Sequence, residues 1–149
     1  MTTKEDISGA HVWLVLWKAW EALKTRDLQS IEALGVCFSD FAVLEILLHK
    51  GPLPVNTIGR KVRLTSGSIT TAVNRLEKKR FVERKSSVQD GRVAMVHLTP
   101  KGHAFIEQSF AQHAKRLDEM VSVLAPSERK TLVQLLRKLG KSVQAGQPG

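Results

Sequence analysis

The chain has 149 residues, 42% of them hydrophobic and 25% charged, which suits one folded domain around one core. Its longest apolar run, Val12 to Trp17, is far short of the ~18 residues of a membrane span, and Met1 to Asp6 hold no apolar leader stretch. The one cysteine, Cys37, excludes an intrachain disulfide, so a cytoplasmic chain without membrane contact is expected.

The net charge is +9, which favours a polyanionic partner. Arg60, Lys61, Arg63, Arg75, Lys78, Lys79, Arg80, Arg84, Lys85 and Arg92 stand against only Glu77, Glu83 and Asp90. This one stretch therefore carries +7 of the +9. An evenly solvated surface would spread the charge.

In chain order, residues 7–34 read as a long first helix. Val12, Trp13, Leu14, Val15, Leu16 and Trp17 make it apolar over most of its circumference. A helix of that kind is buried on more than one side, so part of it is expected to face a second subunit. Ser39 and Asp40 look like the cap and first turn of a second helix running to about His49, with Phe41, Leu44, Leu47 and Leu48 as its stripe. Gly51-Pro52 ends it, and Leu53-Pro54-Val55 reads as an extended link. A short helix over 55–62 follows, then a turn at Arg63-Leu64. Another helix is capped by Thr65 or Ser66 and runs to about Lys79 or Arg80, with Ile69, Val73 and Leu76 inward.

Residues 81–85 and 92–98 read as two strands carrying Val82, Val93 and Val96. Polar Ser86 to Gly91 between them reads as a hairpin loop with a flexible tip. Thr99-Pro100 opens a helix to about Val123 or Leu124. Pro126 marks a break, and a last helix with Leu132, Leu135, Leu136 and Leu139 extends to about Val143. Ala125 is a weak cap for it, and residues 144–149 read as a frayed tail.

The expected fold class is therefore mainly α with a small β-hairpin wing (α+β). It is a single domain, 1–149, in which a winged helix-turn-helix at 39–98 is flanked by helical segments at 7–34 and 100–143. In a helix-turn-helix the second helix enters the DNA major groove. The face opposite Ile69, Val73 and Leu76 carries Gly67, Thr70, Thr71, Asn74, Arg75 and Lys78, with Ser68 at its edge and Thr65 and Ser66 at the helix start. Asn can pair with adenine, Arg with guanine, and Thr methyls can meet thymine methyls. Surface helices ordinarily favour Glu, Lys and Ala, so a Ser/Gly/Thr face is a poor choice unless it docks. Arg84 and Arg92 flank the hairpin loop, where an arginine can enter the minor groove; Asp90 is expected to orient Arg92.

These residues resemble the MarR family of bacterial regulators. The resemblance is carried by Ser39 to Glu45, Leu48 to Pro52, Ile58-Gly59 and Thr65 to Thr70 with Val73, Arg75, Leu76 and Glu77. It continues through Val82, Arg84, Asp90, Arg92, Leu98, Thr99 and Gly102. It implies a triangular homodimer, with 7–34 and 100–143 as its dimerisation helices, that reads a pseudo-palindromic site, and a repressor that leaves DNA when a ligand or oxidant acts. By the motif, Arg92 is the minor-groove residue and Asp90 its partner. Two departures stand out: Lys79-Arg80 where many relatives have a glycine, and Gly91 where many carry a second arginine.

For an effector, His11, Trp13, Trp17, Cys37, Phe38 and Phe41 are the candidate lining of a pocket for a small aromatic or phenolic molecule, with Trp20 continuing the stripe; plain core and interface packing is the alternative. Cys37 precedes a helix start, which can activate a thiol, so a redox sensor is a further alternative to a buried inert cysteine. No histidine pair has a strong zinc spacing, so no metal and no cofactor is expected. No phosphate-binding glycine loop or nucleophile elbow points to an enzyme. A winged protein-interaction module would expose apolar residues on the recognition helix, and an RNA module would expose aromatics, whereas the basic segment holds only Phe81.

Overall fold

The computed structural model describes residues 7–146. The expectations for Met1 to Asp6, and for the tail beyond Gly146, lie outside the described residues. The chain forms two compact units, 1–114 and 115–149.

The first unit opens with α1 (Gly9–Glu32), which Ser8 caps by accepting a hydrogen bond from the His11 amide at 3.2 Å. Ile31 is its single buried residue, and the apolar residues from Val12 to Leu23 lie at the surface. Next is α2 (Phe38–Lys50), two residues earlier than Ser39 as the cap would set it. Cys37 occupies the cap position without a side-chain cap bond, and Asp40 is buried in the first turn. Both departures have one cause, since Ser39 and Asp40 are committed to a distant arginine.

Leu53-Pro54 is more than a link. It forms the two-residue strand β1, paired antiparallel with β3 (Ala94–Leu98), so the sheet has three strands in the order β1-β3-β2. Proline is tolerated there because β1 is an edge strand, where a missing N–H disturbs no further ladder. β2 (Val82–Ser86) pairs with β3 in the register Val82↔Leu98 and Arg84↔Val96.

Between β1 and β2 lie α3 (Val55–Val62) and α4 (Ser66–Lys78). Arg63 makes the turn between them in the left-handed region at φ 57°, and the Leu64 amide closes on Gly59 O at 2.9 Å. A Cβ on Gly59 would meet Ile69 Cγ2 at 3.2 Å, so the two helices touch at a residue without a side chain. The core below them joins Phe41, Val43, Leu44 and Leu47 of α2 to Ile58, Ile69, Ala72, Val73, Leu76, Val82, Val96 and Ile106. Burying a side chain of this size contributes about 1.5–3 kcal/mol.

α4 ends in a Schellman motif: the Phe81 amide donates to Leu76 O at 2.9 Å and the Arg80 amide to Glu77 O at 3.0 Å. Arg80 takes the left-handed position at φ 60° that glycine normally fills. The departure from the family's glycine is thus accommodated with the motif intact. α5 (Pro100–Met120) begins as expected, with Thr99 Oγ1 accepting from the Gly102 amide at 3.0 Å. Thr99 Oγ1 also donates to Arg80 O at 2.6 Å, which fastens the end of α4 to the start of α5. A Cβ on Gly102 would lie 1.9 Å from Phe81 O, so this crossing admits only glycine.

In the second unit, α6 (Pro126–Ala145) follows a turn over 121–124. Ala125 caps nothing with its side chain, but Glu128 accepts from the Ala125 amide at 2.7 Å, supplying the half of a capping box that alanine leaves available. Leu132, Leu135, Leu136 and Leu139 fall on this helix, which has no buried residue. Among the described residues no helix is long and apolar enough to cross a membrane.

Candidate nucleic-acid interface

α4 is capped by Thr65, whose Oγ1 accepts from the Ser68 amide at 3.2 Å. Ile69, Ala72, Val73 and Leu76 are buried, which leaves Ser66, Gly67, Ser68, Thr70, Thr71, Asn74 and Lys78 exposed. The hydroxyls of Thr70 and Thr71 donate back to the carbonyls of Ser66 and Gly67, each at 2.9 Å. With those protons committed, the two threonines present methyl groups and acceptor lone pairs. Beside the start of α4, an open notch of about 270 Å³ is lined by Asn56 and Arg60 of α3 with Ser66 and Thr70 of α4. Sequence reading missed Asn56. Its signal was the i, i+4 pair with Arg60 on the face of α3 away from Ile58.

Arg75 departs from the expected base-reading role. Its guanidinium turns back to α2, with Nη2 2.7 Å and Nε 3.2 Å from Asp40 Oδ1, and a further bond from Nη2 to Ser39 Oγ at 3.2 Å. The hydrogen bonds to Asp40, opposed by partial desolvation, raise the pKa of Arg75 above the ordinary arginine value. A raised cation pKa contributes stability below the unfolded value that is lost as pH rises through the raised one, so Arg75 stays charged throughout the working range.

Arg84 also differs from expectation. It lies in the expected strand, β2, but its side chain reaches across to α4, donating through Nη1 to Glu77 Oε2 and through Nη2 to Asn74 Oδ1 at 2.8 Å. Local spacing could not reveal Asp40 or Glu77 as the partners of these arginines.

β3 starts at Ala94, so Arg92 belongs to the loop. The loop tip is closed by its own bonds: Ser87 N to Val93 O at 2.8 Å, Val93 N to Asp90 O at 3.0 Å, and Arg92 N to Asp90 Oδ1 at 3.0 Å. The tip is thus a hydrogen-bonded turn. Asp90 holds the backbone of Arg92, and its carboxylate also stands 3.8 Å from Arg92 Nε, leaving that side chain 96% exposed.

The candidate effector residues do not form one pocket. Trp13 and Trp17, with Leu16, Trp20 and Glu21, line an open depression of about 520 Å³ on α1. Phe38 belongs to a separate groove of about 320 Å³ with Ile46, His49 and Val62. Phe41 is in the core, 1% exposed, and His11 is exposed on α1. Cys37 is exposed rather than buried, with Sγ 3.2 Å from Ser39 Oγ and 3.5 Å from Arg75 Nη2. Among the described residues, no group of three or more His, Cys, Asp or Glu could hold a metal ion.

Residues 39–94 match the model of the MarR family. The chain is 38% identical over 129 residues to the HTH-type transcriptional regulator MhqR of Bacillus subtilis strain 168, an alignment covering 87% of this chain and 89% of that one. Among solved structures, a MarR family protein from Bacillus stearothermophilus superposes with a TM-score of 0.74 at 25% identity, over 91% of this chain and 94% of that one. A probable transcriptional regulator from Pseudomonas aeruginosa does so with a TM-score of 0.71 at 27% identity, over 86% and 96%. An identity of that extent, joined to a helix-turn-helix with a wing, makes this chain a member of the MarR family of DNA-binding transcriptional regulators.

Proposed function

We propose that this chain is a sequence-specific repressor that binds a pseudo-palindromic operator as a homodimer. α4 enters the major groove and Arg92 the minor groove. The observation that carries this reading is the exposed face of α4, with Thr70, Thr71, Asn74 and Lys78 opposite a buried stripe, on the same body as a wing whose arginine is held at its backbone and exposed at its side chain. Thr65, Ser66, Gly67 and Ser68 bring the positive end of the helix to a phosphate. Arg75 and Arg84 act from behind, as supports of the helix.

Dimerisation is supported by two apolar surfaces, each on its own unit: Trp13, Trp17 and Trp20 on α1, and Leu132, Leu135, Leu136 and Leu139 on α6. Patches of this kind mark protein contacts. The 7–34 and 100–143 segments are accordingly the proposed dimerisation helices.

Release is proposed to follow binding of a small aromatic molecule at the tryptophan depression on α1. A second reading, release by thiol modification, is favoured by the exposure of Cys37 beside Arg75. Thermal shift with a phenol and quinone series separates the two, since a ligand raises the melting temperature of wild type and Cys37→Ser alike. Full oxidant response in Cys37→Ser would remove the thiol reading.

The DNA reading is tested by titrating a labelled duplex from the chain's own upstream region against a scrambled one across a salt series. A preference of about a thousandfold, lost in Arg92→Ala, is expected. Equal binding to every upstream and scrambled duplex, with Arg92→Ala unchanged, would contradict it.

A further inference from the structure

Arg84 holds Asn74 by one particular atom. An arginine has five N–H donors and no acceptor, so the atom of Asn74 that stands 2.8 Å from Arg84 Nη2 is the amide oxygen. Glu77 fixes the other arm of the same guanidinium through Nη1. The Asn74 amide is planar, so securing its oxygen also sets the direction of its nitrogen. That nitrogen keeps two donors and has no hydrogen-bond partner among the described residues, on the exposed face of α4.

A free asparagine reads adenine with both arms, accepting from N6 and donating to N7. An asparagine whose oxygen already accepts from a cationic arginine has one lone pair left and a fixed amide plane, so its two N–H donors become the readier reading group. In the major groove, the edges that present acceptors without a neighbouring donor are those of guanine (N7 and O6) and thymine (O4).

We propose that Arg84 is a specificity-positioning residue: by holding Asn74 Oδ1 and the amide plane it makes Asn74 read chiefly as a donor, so the operator base opposite Asn74 is a keto base, guanine or thymine. This rests on the proposal that α4 reads the major groove and adds which edge it reads. Arg84 touches no base in this account; it acts through Asn74, and Glu77 acts through Arg84.

The test is selection of bound duplexes from a randomised pool, followed by sequencing, for wild type, Asn74→Ala, Arg84→Met, Arg84→Lys and Glu77→Ala. Circular dichroism melting identifies any variant that fails to fold. Wild type is expected to enrich a motif containing a keto position, and Asn74→Ala to lose the preference at that position alone. Arg84→Met is expected to shift that position towards adenine by about tenfold, with the rest of the motif unchanged. Glu77→Ala shifts it the same way more weakly, and Arg84→Lys, which keeps one donor near the oxygen, restores part of the keto preference. Should Arg84→Met not fold, Glu77→Ala, whose side chain is half-exposed, carries the same test.

Adenine opposite Asn74 in wild type would overturn the inference, as would an unchanged keto position in Arg84→Met and Glu77→Ala. A wild type that enriches no motif would instead overturn the reading of α4 as the DNA-contacting helix, and the inference with it.

Discussion

Arg75 and Asp40 form an ion pair of unequal partners: Nη2 lies 2.7 Å from Oδ1, yet the arginine side chain is 42% exposed and the aspartate 2%. The pair ties α2 to the recognition helix beneath the proposed DNA face. Its asymmetry makes the two truncations differ. Removing the arginine leaves a buried carboxylate without a counter-charge, whereas removing the aspartate releases the arginine to water.

Arg75→Ala is therefore expected to destabilise by about 2–3 kcal/mol, below the range for a fully buried pair because water screens one side. Asp40→Ala is expected to cost less, and the double variant to recover part of the Arg75→Ala loss. Urea melts of the four proteins measure this. Equal costs for both single variants would show that burial of Asp40 does not govern the pair.

Gly102 sets the crossing of α5 over the end of α4. A Cβ there would stand 1.9 Å from the Phe81 carbonyl oxygen, so Gly102→Ala forces backbone movement and is expected to cost about 3 kcal/mol or more. Gly67, by contrast, has nothing within 4 Å of an added Cβ. Gly67→Ala is expected to hold or raise stability, by up to about 1 kcal/mol, while weakening DNA binding by keeping the helix start further from the backbone. Melting and binding measured on the same two variants check both halves.

Arg80 holds φ at 60°, where a side chain crowds the backbone. Arg80→Gly is expected to leave the melting temperature unchanged or raise it, and Arg80→Val to lower stability by about 1–2 kcal/mol. A loss in the glycine variant would mean that the arginine side chain makes a contribution larger than its strain.

The leucines of α6 are all exposed, from 42% at Leu136 to 59% at Leu135. If they meet a second copy, Leu132→Glu with Leu136→Glu raises the dimer dissociation constant by about 30-fold or more in sedimentation equilibrium, the loss of one interface anchor of about 2 kcal/mol. An unchanged dimer would place the contact elsewhere.

Much of the fold was legible because each element carries its own period. Ile69, Val73 and Leu76 mark one face of α4, Thr99-Pro100 marks a helix start, and the valines of β2 and β3 mark strands. What escaped was long-range. Ser39 looks like a cap, but its hydroxyl accepts from Arg75, 36 positions along the chain. Leu53-Pro54 looks like a link because two residues show no period, and only the partner strand makes them β1. The exposed threonines and Asn74 follow from helical geometry, whereas the directions of Arg75 and Arg84 do not. A long side chain at the edge of a face goes where its counter-charge lies, and Asp40 and Glu77 become visible only once the chain has folded.

α4 and the wing are the surfaces proposed to meet DNA. Affinity cleavage tests this most directly, with an iron–EDTA tether attached in a Cys37→Ser background at Thr71→Cys on α4 or at Gly91→Cys on the wing, both sites exposed. Localised strand cleavage is expected from each tether, in paired clusters related by the operator's pseudo-dyad, with the wing tether cutting at different positions from the α4 tether. Cleavage from neither position, in protein that still protects a DNA site, would contradict it.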